Sequence, residues 1–121
     1  MPNPNLTILY VDEAVASAAF YADLLGRPPA QSSPTFAMFA LDNGHMLGLW
    51  SRHTVAPAAT VGGGEIAFTA GDADAVGTIH ADWKRRGLEI IQPPTTLDFG
   101  HTFVALDPDG HRLRVFAPAA P

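Results

Sequence analysis

Residues 107–116 read DPDGHRLRVF, and residues 42–50 carry a related pattern, DNGHMLGLW. When Gly44 is placed on Gly110, a histidine follows each glycine and apolar residues then recur at the same alternate positions. A turn rich in Asp, Asn and Gly that leads into an alternating apolar run is typical of a β-hairpin. The sequence therefore predicts the same hairpin twice, once in each half of the chain.

The repeat extends to the elements that surround each hairpin. In the first half the pattern predicts a strand at 6–11, a helix at 14–25, and strands at 36–41 and 45–50. In the second half it predicts a strand at 65–70, a helix at 72–86, and strands at 88–91, 101–106 and 111–116. Asp12 is predicted to cap the start of the first helix.

Neither half is large enough to bury both faces of its own sheet, so the two units are expected to pack together. The predicted organisation is a single domain over residues 1–121. Its first module covers about residues 5–51, a linker of small residues covers 52–63, and the second module covers about 64–117.

Composition excludes several classes of function. The net charge of −5 argues against binding to nucleic acid, which needs a basic surface. The absence of cysteine excludes disulfides, thiolate metal sites and cysteine nucleophiles. The first residues, MPNPNLTILYVDE, match neither a signal peptide nor a membrane anchor. We therefore expect a cytoplasmic protein with no nucleic-acid or membrane partner.

The doubled unit, the helix end FYADLLG and the hairpin DPDGHRLRVF together resemble the vicinal oxygen chelate superfamily. This superfamily includes glyoxalase I, extradiol dioxygenases and bleomycin-resistance proteins. The resemblance implies an α+β fold in which paired βαβββ modules form a curved, cup-like mixed sheet with helices outside. The segments PNLTILYV, HMLGLWS, EIAF and DFGHTFVALDPDGHRLRVF look closest to phenazine-type antibiotic resistance proteins, which bind their drug.

The metal enzymes of the superfamily take one ligand from each of four strands, and the resemblance places those positions at Leu6, Gly48, Glu65 and Arg114. Leucine and glycine offer no ligating side chain, and arginine carries a permanent positive charge. An arginine about 4 Å from a divalent ion costs about 8 kcal/mol at an effective dielectric near 20. We therefore expect no metal and no other cofactor.

Strand parity indicates what would line the cup instead. Alternate residues of a strand face one side, so Arg112 and Phe116 accompany Arg114, and Met46 and Trp50 accompany the glycine between them. A largely apolar and aromatic lining is typical of a pocket for an organic ligand. The predicted ligand-binding residues are Trp50, Tyr10, Phe36, Gly48, Phe99, His101, Phe103, Arg114 and Glu65, with no catalytic residue.

Several of these residues allow a purely structural interpretation. The aromatic side chains could fill the core, and Phe36 and Phe39 cannot both face the cup because their parity differs. Arg114 and Glu65 could form a structural charge pair, or the arginine could anchor a ligand carboxylate.

The predicted function is non-catalytic sequestration of a planar aromatic small molecule, an antibiotic, with Trp50 stacking on it as the resemblance implies. The resemblance also implies a homodimer. One alternative is a metal-dependent lyase, isomerase or dioxygenase of the same superfamily that uses displaced ligands such as Glu65, Asp98 and His101. Another is a sensory or scaffold domain whose cup is filled by its own side chains.

Overall fold

The computed structural model describes residues 5–56, 58–59 and 65–119. The chain divides into two compact units, one up to residue 61 and one from residue 62 onward. Each unit contains one α-helix and one four-stranded mixed sheet, so the predicted α+β class is confirmed. The cup-like arrangement of the two modules as a single domain stays a prediction.

The first unit closely follows the predicted order. Its elements are β1 (Leu6–Val11), α1 (Ala14–Leu25), β2 (Gln31–Ser32), β3 (Phe36–Ala40) and β4 (Met46–Ser51), followed by a 3-10 turn at Arg52–Thr54. The strand order is β1-β4-β3-β2, with β1 parallel to β4 and the other neighbours antiparallel. The sequence did not predict β2, since two residues are too few to show an alternating pattern. The 3-10 turn begins the predicted linker, and residues 57 and 60–63 of that linker lie outside the described residues.

The second unit repeats this topology. Its elements are β5 (Glu65–Thr69), α2 (Ala73–Arg85), β6 (Glu89–Leu97), β7 (Gly100–Leu106) and β8 (Arg112–Pro118), and the strand order is β5-β8-β7-β6. The sequence placed the end of β6 at residue 91, but the strand continues through Pro93 and Pro94. Proline is tolerated there because β6 lies at the edge of the sheet, and the pairing with β7 shifts register between Ile90 and Thr95.

The two hairpin turns explain why the repeat is visible in the sequence. Gly44 and Gly110 adopt nearly the same left-handed backbone, with φ of 84° and 85°, a conformation that favours glycine. In each turn a side-chain oxygen accepts a hydrogen bond from the histidine N–H that follows. Asn43 Oδ1 accepts from His45 N at 2.9 Å, and Asp107 Oδ1 accepts from His111 N at 2.8 Å.

The helices begin in two different ways. The Asp72 carboxylate accepts a hydrogen bond from Ala75 N at 2.8 Å and caps α2. The prediction that Asp12 caps α1 is wrong, because Glu13 is the N-cap residue and makes no side-chain capping bond. The first free N–H of α1, on Ala14, instead donates to the buried hydroxyl of Ser51 at 3.0 Å.

Each sheet buries the face that packs on its own helix. The largest fully buried side chains of the first unit are Tyr21, Phe39, Leu49 and Val11. Those of the second unit on this side are Phe103, Leu113, Val76 and Val115, and Val104 is buried on the opposite side of its sheet. Full burial of a side chain of this size contributes about 1.5–3 kcal/mol, so these contacts dominate the stability of each unit. Within the described residues, no helix is long and apolar enough to cross a membrane.

Candidate ligand-binding faces

The first unit has a sheet face, on the side away from α1, that carries aromatic side chains. The strand register pairs Tyr10 with Trp50 across β1 and β4, and Phe36 with Trp50 across β3 and β4. These three rings therefore lie on one side of the sheet, together with Gly48 and Ile8. We call these five residues the aromatic face. Tyr10 is 41% exposed and Ile8 is 38% exposed, so the face is open to solvent in spite of its apolar character.

The rings of the aromatic face hold one another in fixed orientations. Trp50 packs edge-to-face with Tyr10, with ring centroids 6.3 Å apart, and with Phe36 at 6.5 Å. Edge-to-face pairs of this kind are favourable because the positive edge of one ring meets the negative face of the other. The indole is thus oriented by a neighbour on each adjacent strand. A ring oriented in this way can stack against a flat molecule.

Gly48 makes this packing possible. A Cβ atom at Gly48 would lie 3.1 Å from Cζ of Phe36 and 3.3 Å from Cγ1 of Ile8, which is tighter than ordinary van der Waals contact. The sequence predicted that the glycine makes room for a ligand. In the structure, much of that room is occupied by the Phe36 ring, which lies over the glycine.

The second unit carries a charged site on the corresponding face of its sheet. Arg114 Nε donates to Glu65 Oε2 at 2.7 Å, and Arg114 Nη1 donates to Thr102 Oγ1 at 3.1 Å. The guanidinium carbon lies 5.4 Å from the centroid of the Phe99 ring, within cation–π range. We call these four residues the arginine face. The predicted proximity of Arg114 and Glu65 is present, and only 17% of the arginine side chain is exposed.

Thr102 is a member of this face that the sequence did not single out. Its hydroxyl donates to the carbonyl of Val115 at 2.9 Å, so its oxygen is free to accept from Arg114. The signal that could have found it is the register between β7 and β8, which pairs Thr102 with Phe116 and thereby puts it on the same side as Arg114. That register cannot be read from either strand alone.

The same register corrects two predicted site residues. Because Thr102 and Val104 share the side of Arg114, His101 and Phe103 face the opposite side, toward α2. Phe103 is 0% exposed and packs edge-to-face with Trp83 at 5.4 Å, so it belongs to the core and does not line a ligand site. His101 Nδ1 forms a hydrogen bond with Thr96 Oγ1 at 2.9 Å on the side away from the arginine face.

The residues at the superfamily's metal positions do not fit a metal. Leu6 and Gly48 offer no ligating atom on their side chains. The Glu65 carboxylate is bonded to the guanidinium of Arg114. In the part of the chain that the structure describes, no three His, Cys, Asp or Glu side chains are grouped so that they could hold a metal ion. The alternative set with His101 is not assembled either, because that side chain lies on the other side of the sheet from Arg114.

The fold agrees with comparisons with known proteins. The model of the Glyoxalase/Bleomycin resistance protein/Dioxygenase superfamily matches residues 4–115. The chain belongs to this superfamily. The resemblance stated from the sequence is therefore confirmed, and the superfamily is one in which a shared fold carries different functions.

Individual relatives differ in their sequence identity and structural similarity to this chain. The chain is 29% identical over 115 residues to the phenazine antibiotic resistance protein EhpR of Enterobacter agglomerans, covering 93% of this chain and 89% of that protein. A solution NMR structure of a protein from Agrobacterium tumefaciens has 53% identity and a TM-score of 0.91, covering 99% of this chain and all of the other. A glyoxalase-related enzyme from Fulvimarina pelagi has a TM-score of 0.82 at 19% identity, with 97% and 88% of the two chains covered. At that identity the likeness shows the fold alone.

Proposed function

We propose that this protein binds a planar aromatic small molecule and sequesters it without chemical change, as an antibiotic-resistance protein of its superfamily. The observation that carries the proposal is the aromatic face. Three mutually oriented rings lie on a solvent-accessible side of the sheet, where a protein with no aromatic ligand would ordinarily place polar side chains.

The chemistry of the aromatic face favours binding over catalysis. Apart from the hydroxyl of Tyr10, its side chains are apolar or aromatic, so it offers a guest stacking and apolar contact. A ligand of about 20 non-hydrogen atoms at about −0.3 kcal/mol each gives about −6 kcal/mol, which corresponds to a Kd of tens of micromolar. Two flanking rings at about 0.5–1.5 kcal/mol each bring the Kd into the micromolar range. That affinity is sufficient to buffer a drug when the protein is abundant.

The similarity to EhpR supports the ligand class. Its name states resistance to phenazine antibiotics, and phenazines are flat three-ring aromatics that match a surface of oriented rings. The proposal extends to a homodimer, as the superfamily resemblance implies, and to a cytoplasmic location, as the composition indicates. It includes no nucleic-acid partner, since the net charge of −5 disfavours contact with phosphates.

The experiment that tests the proposal compares the two tryptophans. Trp50 belongs to the aromatic face, whereas Trp83 belongs to α2, is 6% exposed and packs on Phe68 and Phe103 in the core. We expect Trp50→Ala to raise the Kd for phenazine at least tenfold, which corresponds to about 1.4 kcal/mol. We expect the control, Trp83→Phe, to leave the Kd within about twofold. Equilibrium dialysis is the measurement, because phenazine absorbs light that either tryptophan emits and fluorescence alone would not separate the two sites.

Three results would contradict the proposal. They are no saturable binding of phenazine or of a substituted phenazine, an unchanged Kd in Trp50→Ala, and recovery of a chemically altered ligand by mass spectrometry. Circular dichroism of both variants serves to confirm that each is folded before its Kd is interpreted.

A further inference from the structure

The arginine face holds hydrogen-bond donors that the protein itself does not use. A guanidinium has five N–H groups, and those of Arg114 make two bonds within the described residues, to Glu65 and to Thr102. Three N–H groups therefore have no acceptor there, including both on Nη2. The buried side-chain atoms without a partner in the described residues are Arg27 Nε and Gln92 Oε1, and no atom of Arg114 is among them. The two N–H groups on Nη2 of Arg114 thus reach solvent.

The guanidinium of Arg114 is held in a fixed orientation by neighbours that leave its Nη2 donors free to bind a ligand. Glu65 fixes Nε, Thr102 fixes Nη1, and the Phe99 ring lies against one side of the planar group. Phe99 is itself 43% exposed and packs edge-to-face on Phe116 at 6.1 Å. An oriented guanidinium beside an exposed ring is the arrangement that would receive an aromatic ligand bearing an acceptor group.

The neighbouring charges favour an acceptor that is negatively charged. Arg112 lies on the same side of β8, two residues before Arg114, and is exposed with no ion-pair partner in the described part of the chain. The acidic groups on this side of the sheet are Glu65, bonded to Arg114, and Glu89, which the register places on β6, two strands away from β8. Arg112 therefore adds positive charge beside the spare donors, and the nearest carboxylate is already paired.

We infer that the arginine face, through residues of the second unit alone, binds the carboxylate of an anionic aromatic ligand. The inference rests on the proposed binding function and adds the charge class of the ligand to it. Arg114 donates hydrogen bonds to the carboxylate through the Nη1–Nη2 side of its guanidinium. Arg112 adds electrostatic attraction, and Phe99 provides a surface for the adjacent ring.

Glu65 has an opposing effect in this arrangement. It orients Arg114, but as an anion it also competes with the ligand carboxylate for the same positive charge. We therefore expect Glu65→Gln, which keeps the shape and an acceptor oxygen but removes the charge, to strengthen carboxylate binding about threefold. A purely structural charge pair predicts the opposite or no change, because the arginine would then have no role toward the ligand.

The test uses two probes that differ in charge and little else, phenazine-1-carboxylate and phenazine-1-carboxamide, at neutral pH. The measured quantity is the ratio of their dissociation constants. We expect the wild-type protein to prefer the carboxylate about tenfold, and Arg114→Gln to reduce that preference to about one. Arg85→Gln removes the same charge from α2, where the arginine contacts Asp82, and is expected to leave the preference unchanged.

A second variant keeps the test valid if Arg114→Gln does not fold, since that change leaves Glu65 without its partner. The double variant Glu65→Gln with Arg114→Gln removes both charges together, and it too is expected to bind the two probes equally. A wild-type ratio near one with normal binding of both probes would overturn this inference and leave the proposed function standing. A preference that survives removal of Arg114 would also overturn it. Failure of both probes to bind would overturn the inference and the proposed function together, and failure of the carboxylate alone would overturn the inference.

Discussion

The backbone around Gly100 comes so close to the end of the chain that no side chain fits between them. Gly100 has φ of 148°, and a Cβ atom there would lie 2.0 Å from the carbonyl oxygen of Ala117. Ala119 N also donates to the carbonyl of Phe99 at 2.9 Å, so β7 and the residues after β8 are joined on both sides of this glycine. This close approach lies next to Phe99, whose ring contacts Arg114.

We predict that Gly100→Ala lowers the free energy of unfolding by more than about 2 kcal/mol, because the new methyl group meets rigid backbone in a conformation that L-residues rarely adopt. Urea denaturation of the two proteins measures the difference. The matched control is Gly77→Ala in the middle of α2, where an added Cβ meets nothing within 4 Å. That change is expected to raise stability by about 0.5–1 kcal/mol, and equal effects of the two substitutions would contradict this explanation.

At the residue scale, the sequence predicted which side of its sheet a side chain faces wherever that direction depended on one strand alone. Alternation along β4 put Gly48 and Trp50 on one side, and alternation along β8 gave Arg114 its side. The prediction that Phe103 lines a ligand site was wrong. Which side of the sheet each β7 side chain faces depends on the register between β7 and β8, and that register is set by packing between distant segments. Thr102 was missed for the same reason.

At the scale of elements, the end of α1 is tied to the β3–β4 hairpin by one side chain. The helix ends at Gly26, which has φ of 69°, and the next residue is Arg27. Arg27 Nη1 donates to the carbonyl of Ala40 at 2.8 Å, and Nη2 lies 3.0 Å from Oδ2 of Asp42. The hydrogen bond and charge of Arg27 lower the pKa of the Asp42 carboxyl below its usual value.

This contact predicts a pH dependence of stability. Because the pKa of Asp42 is lower in the folded than in the unfolded chain, its stabilisation is fully present above about pH 4 and is lost as the pH falls through the lowered folded value. We expect Asp42→Asn to unfold more easily than the wild type at neutral pH by a small amount, since the pair is exposed. The difference is expected to vanish near pH 2. Thermal unfolding across this pH range is the measurement, and a difference that grows toward acid pH would rule out this role for Asp42.

Elements with a strong local sequence pattern were predicted well. Elements whose bounds depend on contacts with distant segments were not. The bounds of α1 and β1 matched the sequence prediction, since a glycine ends the helix and a run rich in β-forming residues marks the strand. Strand β6 is longer than predicted. Read from the sequence alone, its two prolines indicate a loop, but an edge strand tolerates proline because not every backbone N–H has to pair with a neighbouring strand. The start of α1 was misassigned to an Asp12 cap because the Ser51 hydroxyl that accepts its first N–H lies 37 residues away.

At the scale of the whole molecule, the chain uses one topology twice and gives the two copies different chemistry. Both sheets have the same strand order, and both place a helix over one face. The buried sides are similar, with Leu49 and Val115 at equivalent positions of the repeat. The open sides differ, because Trp50 and Gly48 in the first copy correspond to Phe116 and Arg114 in the second. The two copies therefore share a topology and differ in the chemistry of these sides, as expected where one fold carries different functions.

The measurement that tests the central claim most directly is backbone amide NMR of the uniformly labelled protein during titration with phenazine. We predict that shift changes concentrate in β1 and β4, around residues 8–10 and 48–50, and that the ligand released afterwards has unchanged mass. Changes centred on α1 and α2, or no changes at millimolar phenazine, would contradict the claim that the aromatic face is a binding site for flat aromatic molecules.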